Sequence, residues 1–504
     1  MRAAVPDWPA SERLGSSLET FYRRRLYRPA WVGAWGAPAR ADEMVAALQD
    51  AVAHGLDPRI YGAERLARAL AAFRSAAAAG EAPLRQGVML DLSLTTAYLT
   101  FADHLQRGRF DPGQIGETWP ASPRTDLAGV LQSALDLGEV SGTLAGLAPP
   151  QPEYAQLQEA YLRYHHLALQ GTWPTGPVLE SAPGQGATAA TDLIRRLLCT
   201  GDLPEPQPGA TAPDASVSGA LRRFQERHGL ARSGRVDEAT AAALGVSPSA
   251  RAAQLAANLE RWRWLPHDLG SRYVLVRIAE YELGVVEDGL RVMHSRVVVG
   301  EPYRQTPTFG SRITEVTLNP AWYIPDRIAR EETLPQLQAD AAAAERLGIR
   351  VWPVAGDSVA PVTGVLDWST LSPADFPYHL MQLPGPANAL GRVKFTLPNP
   401  FQVYLHDTPN TGVFAARQRD RSHGCIRVEG ARELAAYLLA GEGWDGDRLR
   451  AAWDSGRTQV IRLTRPLPVY ILYWTAWVAA DGEVNFRRDL YDADQRLMQA
   501  LGVP

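Results

Sequence analysis

The chain has 504 residues, 46% hydrophobic and 21% charged, with a formal net charge of −4. This length suggests about three domains with sizeable cores, and the charge leaves no basic field for nucleic acid. No apolar run approaches the ~18 residues a membrane span needs, and the opening Met1-Arg2-Ala3-Ala4-Val5-Pro6-Asp7-Trp8 has no apolar signal core. Two cysteines, Cys199 and Cys425, exclude a disulfide framework. Cys199, in Leu197-Leu198-Cys199-Thr200, reads as a small buried hydrophobe. Lys394 is the one lysine among the basic residues, which reads as codon bias of a GC-rich genome.

Up to about residue 180 the pattern is helical. Met44, Ala47 and Leu48 share a face, as do Leu66, Leu70 and Phe73, and Tyr98, Phe101 and Leu105. Turns carry Pro and Gly, as in Gly55-Leu56-Asp57-Pro58 and Gly108-Arg109-Phe110-Asp111-Pro112. Linkers are expected at Gly171 to Pro177 and Ala182 to Gly186. A small helical unit follows over 188–247, with a stripe of Leu193, Leu197 and Leu198, then the loop Leu203 to Gly209. Gly229 suits a helix C-terminus and Asp237 an N-cap.

From Tyr273 the texture changes to strands. Tyr273 to Ile278 alternates in part, and Asp288-Gly289 is a favoured hairpin turn between Glu282–Glu287 and Arg291–Val299. Ile313–Leu318 and Gln402–Leu405 are further strand candidates. A long insert from Ile324 to about Tyr378 has helical content over 328–340 and 341–347, as a lid would. Helical spacing returns with Leu434, Tyr437 and Leu438, ending at Gly441. Cys425 is therefore expected on a turn close to a helix N-terminus, where the dipole lowers a thiol pKa.

The chemistry gathers in Tyr404-Leu405-His406-Asp407-Thr408-Pro409 and Ser422-His423-Gly424-Cys425-Ile426-Arg427-Val428. A cysteine with nearby histidines suits nucleophilic acyl transfer: the imidazole takes the thiol proton and the thiolate attacks a carbonyl. A free thiol is mostly protonated at neutral pH, so a base is required. Gly424 lets the backbone approach a substrate. A zinc site of His406, His423 and Cys425 would lack a fourth ligand nearby, because Cys199 falls in another region.

The motif Ser422-His423-Gly424-Cys425-Ile426-Arg427, with His406 upstream, resembles the signature of YkuD-type L,D-transpeptidases. Arg304-Gln305-Thr306-Pro307, Asn319 to Pro325, Pro384 to Gly391 and Val393-Lys394-Phe395 extend the likeness over about 272–465. Arg28-Pro29-Ala30-Trp31 and Gly108 to Pro112 resemble the scaffold domain of the large multidomain subfamily. Leu221, Phe224-Gln225, His228-Gly229-Leu230, Gly234, Val236-Asp237, Thr240 and Leu244 resemble its peptidoglycan-binding module.

The resemblance implies a multidomain α+β protein. Its parts are a helical scaffold domain over 1–185 with a contribution from 466–504, a helical peptidoglycan-binding module over 188–247, and a mainly-β catalytic domain over 272–465. A helical lid is inserted in the last at about 325–378. The implied mechanism makes Cys425 the nucleophile and His406 the base, oriented by the backbone carbonyl of Asp407 and supported by His423. Backbone amides of Gly424 and Cys425 would form the oxyanion hole. Arg427, Ser422, Tyr404, Trp322 and Asn388 are candidate substrate-binding residues.

No cofactor and no metal are expected. The implied partners are peptidoglycan tetrapeptide stems as donor and acceptor, joined 3→3 with release of D-alanine, and carbapenems as inhibitors. Water as acceptor would make an L,D-carboxypeptidase. A lipoprotein-to-wall transferase or hydrolase on the same site, and a wall-binding scaffold without essential catalysis, are further alternatives. A wall substrate implies export to the periplasm, with a signal or anchor missing from this sequence.

Overall fold

In the computed structural model the described residues are 11–502, apart from 34–35, 82–83, 116, 118, 120–124, 177, 179–186, 205–213, 355–360 and 363–365. The start Met1–Trp8, the expected linker Ala182–Gly186 and most of the Leu203–Gly209 loop lie outside them. The chain forms two compact units: residues up to Asp268 together with Trp474 onward, and Leu269–Tyr473 between them. Among the described residues, no helix is long and apolar enough to cross a membrane.

The first unit is helical. Its core is built by helices Glu12–Arg24, Arg40–Gln49, Ala63–Ala78, Leu84–Arg107 and Leu127–Leu137, whose apolar stripes bury Leu18, Phe21, Met44, Leu66, Tyr98 and Leu131. Two buried carboxylates hold the segments that carry the scaffold resemblance. Asp91 accepts from the amides of Ala30 (2.8 Å) and Trp31 (2.6 Å) and from the Tyr22 hydroxyl (2.5 Å). Glu260 accepts from the amides of Arg109 and Phe110. Gly108, at φ +83°, leaves no room for a side chain between Glu260 and Trp264.

Within this unit the 188–247 region closes a small core of Leu193, Leu197, Leu221, Phe224 and Leu244. Gln225 is fully buried. It donates to Arg235 O (2.7 Å) and Thr240 Oγ1 (3.1 Å) and accepts from Gly234 N (2.9 Å), so it folds the following loop around itself. Asp237 caps the last short helix through Thr240 N (2.8 Å), and Gly229 adopts φ +66°.

The sequence reading passed over helix Pro248–Trp264. It is buried on every side, with Arg251, Glu260, Arg261 and Arg263 all inside, so it shows no polar face to give a helical period. The C-terminal segment packs on it. Trp474 stacks on Trp262 at 4.4 Å, Thr475 N donates to Asn258 Oδ1 (3.0 Å), and Asp494 pairs with Arg261 (2.5 Å).

The second unit is a sheet of short strands: β1 (Arg272–Arg277), β2 (Glu282–Glu287), β3 (Leu290–Gly300) and β4 (Phe309–Leu318) come first. After them run β5 (Trp322–Ile324), β6 (Ile349–Pro353), β7 (Tyr378–Gln382), β8 (Val393–Thr396) and β9 (Leu405–His406). The last are β10 (Asp420–Ser422), β11 (Ile426–Val428) and β12 (Gln459–Leu472). The order is β10-β3-β11-β9-β8-β4-β12-β1-β2, and β2 also pairs with β3, so eight strands close into a ring. Asp288 and Gly289 both have positive φ, as a type I′ turn requires.

The insert is not only helical. Besides Asp326–Ile328, a π-turn at Ala329–Thr333 and helix Leu334–Ala339, it holds an antiparallel sheet, β5-β7-β6, over its own core of Ile324, Leu334, Leu337, Trp368 and Leu380. Strands of three to five residues are too short for their alternation to stand out in sequence.

Candidate active site

Period-two alternation aims the key side chains. On β9 and the residues before it, Tyr404 and His406 share a face; around β11, Cys425 and Arg427 do. The strands run parallel, with Ile426 opposite Leu405 and Arg427 opposite His406. On the other side of β9, Lys394 of β8 stands opposite His406. Arg427, His406 and Lys394 thus form a row across three strands. All three line a cavity of about 650 Å³ together with Cys425, Tyr404, Trp322, Ser422 and His423.

His406 is buried, and its Nδ1 lies 2.6 Å from the Asp407 carbonyl oxygen. A carbonyl only accepts, so Nδ1 carries the proton and Nε2 keeps its lone pair. Burial, with the charges of Arg427 and Lys394, pulls the His406 pKa down to about 3. The Asp407 carboxylate is turned elsewhere and accepts from Arg392 N (2.8 Å). Gly391, at φ +60°, is fixed as glycine because a Cβ there would strike that carboxylate.

Cys425 sits between β10 and β11. The next helix starts at Ala431, so the thiol does not lie at a helix N-terminus and the expected dipole effect is absent. Burial instead raises the thiol pKa, against lowering contributions from Tyr404, Lys394 and Arg427. Both shifts favour the neutral forms, thiol and imidazole. Burial likewise raises the pKa of the Tyr404 hydroxyl, with the Cys425 charge adding to it.

The turn before the thiol is braced. Ser422 Oγ donates to Cys425 O (2.6 Å) and accepts from Gly424 N (3.2 Å). Gly424 takes φ +107°, and its carbonyl accepts from Thr306 Oγ1 (2.8 Å), which also receives Gly300 N (2.9 Å). Gly300 tolerates no Cβ, since one would overlap the 304–306 backbone.

The remaining predicted residues disperse. His423 is exposed and bonds through Nε2 to Glu332 of the insert (2.5 Å). Asn388 does not line the cavity. It is buried, donating to Pro320 O (3.1 Å) and Leu383 O (3.0 Å) and accepting from Leu390 N (2.8 Å). Sequence reasoning missed Glu332, which also pairs with Arg304 (2.6 Å). Burial opposes ionisation of Glu332, yet Arg304 and His423 hold its carboxyl below the ordinary range. It also passed over Lys394, although a single lysine in an arginine-rich chain was a visible signal.

Residues 16–160 match a scaffold domain family, residues 192–244 a "Putative peptidoglycan binding domain", and residues 271–461 an L,D-transpeptidase catalytic domain of the YkuD type. A curated protein of Haemophilus influenzae, titled "Putative L,D-transpeptidase", is 34% identical over 244 residues. The match covers 48% of this chain and 48% of that protein, about half the length of each.

Proposed function

Since the chain belongs to the multidomain YkuD-type L,D-transpeptidase family, we propose that it is a cysteine acyltransferase that cross-links peptidoglycan stem peptides 3→3. The observation that carries this is the shared cavity of Cys425 and a neutral, Nδ1-protonated His406.

In this reading His406 Nε2 takes the Cys425 thiol proton as sulfur attacks the carbonyl of the L-centre of diaminopimelate at position three. The Gly424 amide is already bonded to Ser422, which leaves the Cys425 amide as the backbone donor for the developing oxyanion. The C–N bond breaks, the imidazolium returns its proton to the leaving nitrogen, and D-alanine departs. The side-chain amine of a second stem then attacks the thioester. His406 accepts its proton, and the thiol is regenerated. Arg427 and Tyr404 bind or orient the donor, and the insert closes over it through Glu332 and His423. The 192–244 module holds wall polymer, and the working site is the periplasm.

Intact mass after incubation with tetrapeptide muropeptides, and separately with a carbapenem, tests the proposal. Wild type is expected to give 3→3 dimers and a drug adduct, and Cys425→Ala neither. Tripeptide without dimer would move the assignment to L,D-carboxypeptidase. An adduct retained by Cys425→Ala would overturn the nucleophile.

A further inference from the structure

Lys394 is held in place by aromatic contact rather than by an ion pair. Its Nζ lies 4.4 Å from the centre of the Tyr404 ring, and its neighbours on β8, Val393 and Phe395, are buried on the opposite face. Among the described residues it has no carboxylate partner. Glu315, whose field reaches it, is committed to Arg462 at 3.1 Å. Half-buried charges are normally paired, because desolvation is costly. Other enclosed cations in this chain are met by oxygen: Arg227, Arg261, Arg263 and Arg304 by carboxylates, and Arg196, Arg251 and Arg419 by carbonyl or amide oxygens, whereas Lys394 has neither among the described residues. An ammonium left unpaired in a wall of the reaction cavity is therefore suited to a ligand anion.

The residue type points the same way. Every other basic residue in the chain is arginine. At this position a compact ammonium on a flexible stem replaces the wider planar fork of arginine. Its place opposite His406 on β8 puts it across the row from Arg427, so the cavity presents one cation on each side of the base.

We propose that Lys394 forms a carboxylate subsite of the Cys425 cavity and receives a free carboxylate of the donor stem peptide. This rests on the transpeptidase reading above. A stem donor offers two such groups flanking the bond that breaks: the terminal carboxylate of D-alanine and the carboxylate on the D-centre of diaminopimelate. Lys394 is a specificity residue in this scheme. It selects donors by charge and takes no proton in the reaction.

The test compares wild type, Lys394→Met and Lys394→Arg on three donors: the free-acid tetrapeptide, its C-terminal amide, and the tetrapeptide amidated on the diaminopimelate D-centre. Loss of a charge-assisted hydrogen bond should lower kcat/KM of Lys394→Met on the free acid by roughly 10–100-fold. Lys394→Arg should recover part of it. One amidated donor should show the same loss in wild type and no further loss in Lys394→Met, and that donor identifies the carboxylate. Because Lys394 also lowers the Cys425 thiol pKa, iodoacetamide alkylation of Lys394→Met should shift to higher pH, an effect that is the same whichever donor is used. Equal losses on all three donors, or no loss at all, would overturn the proposal, the first by making Lys394 only a support for the thiolate.

A binding measurement needs no turnover and no variant at 394. In Cys425→Ala, acetylation of the chain's one ε-amine by an N-hydroxysuccinimide ester is followed by peptide mass. The free-acid tetrapeptide should slow it, and one of the two amides should not. Equal protection by all three, or by none, would overturn the subsite. Protection without any turnover by wild type would instead retain the subsite and refute the transpeptidase reading.

Discussion

The enclosed cations of the helical unit and those of the catalytic cavity keep different company. Arg227, Arg261 and Arg263 are buried against carboxylates at 2.5–2.6 Å. Lys394 and Arg427 face a cavity with a thiol, an imidazole and a phenol, and make no ion pair among the described residues, the fields of Glu315 and Glu301 reaching them without contact. The first group spends its charge on internal order. The second keeps its charge available, at the cost of a desolvated cation that only substrate completes. The difference teaches where to look for recognition in a chain whose arginines are otherwise structural.

The comparison can be broken most sharply at the base. His406→Gln should cut turnover by roughly 10²–10⁴-fold while leaving the urea midpoint close to wild type; a large fall in midpoint would make His406 structural. Next, Glu260→Ala should cost about 3–5 kcal/mol, because Arg263 is left buried and unpaired. Arg427→Met, which removes a cation without such a partner, should cost less than about 1 kcal/mol. Urea unfolding of the two variants checks the contrast, and similar losses would end it.

Acid should separate the units further. His54 and His104 of the helical unit, like His406, are pulled down to about 3, chiefly by burial. An unfolded imidazole titrates near 6.5, so between about 6.5 and 3 the unfolded chain takes up protons that the folded one refuses. Stability therefore falls as pH falls through that window. The helical unit, where burial also depresses His228 and His267, should lose more between pH 7 and 5 than the catalytic unit, as read by tryptophan-to-phenylalanine reporters in each. For the thiol, the raised pKa predicts an iodoacetamide alkylation midpoint above that of an ordinary free cysteine. A midpoint below neutrality would mean a resting thiolate–imidazolium pair. The smallest effect is at Glu332→Gln: less than about 1 kcal/mol in thermal unfolding, since both of its ion pairs are partly exposed.

The parts of the site legible in sequence were those encoded locally. The alternation of Tyr404 with His406 and of Cys425 with Arg427 follows from two short runs, and Gly424 from the turn between them. The adjacency of Asp407 to His406 carried the orienting carbonyl with it. What was not legible came from register and long separation. Nothing in Val393-Lys394-Phe395 says that it lies beside Leu405-His406, and Glu332 reaches His423 from 91 residues away. Asn388 and Ser422 look alike as polar motif residues, yet one braces a distant turn and the other lines the cavity. The helix Pro248–Trp264 was hidden for the opposite reason: its charged residues imitate a surface but are buried, Glu260, Arg261 and Arg263 in ion pairs and Arg251 on Gln254 Oε1 and the Ala243 carbonyl.

The return of the chain to its first unit at Trp474 sets synthesis against folding. Residues up to Asp268 leave the ribosome first, but Trp262, Asn258 and Arg261 wait for Trp474, Thr475 and Asp494, more than two hundred residues later. The unit made first is therefore completed last, and its buried arginine stays exposed while the whole catalytic sheet is being made. Any premature stop after the catalytic sheet would leave its strands complete while Trp262 lacks Trp474 and Arg261 lacks Asp494.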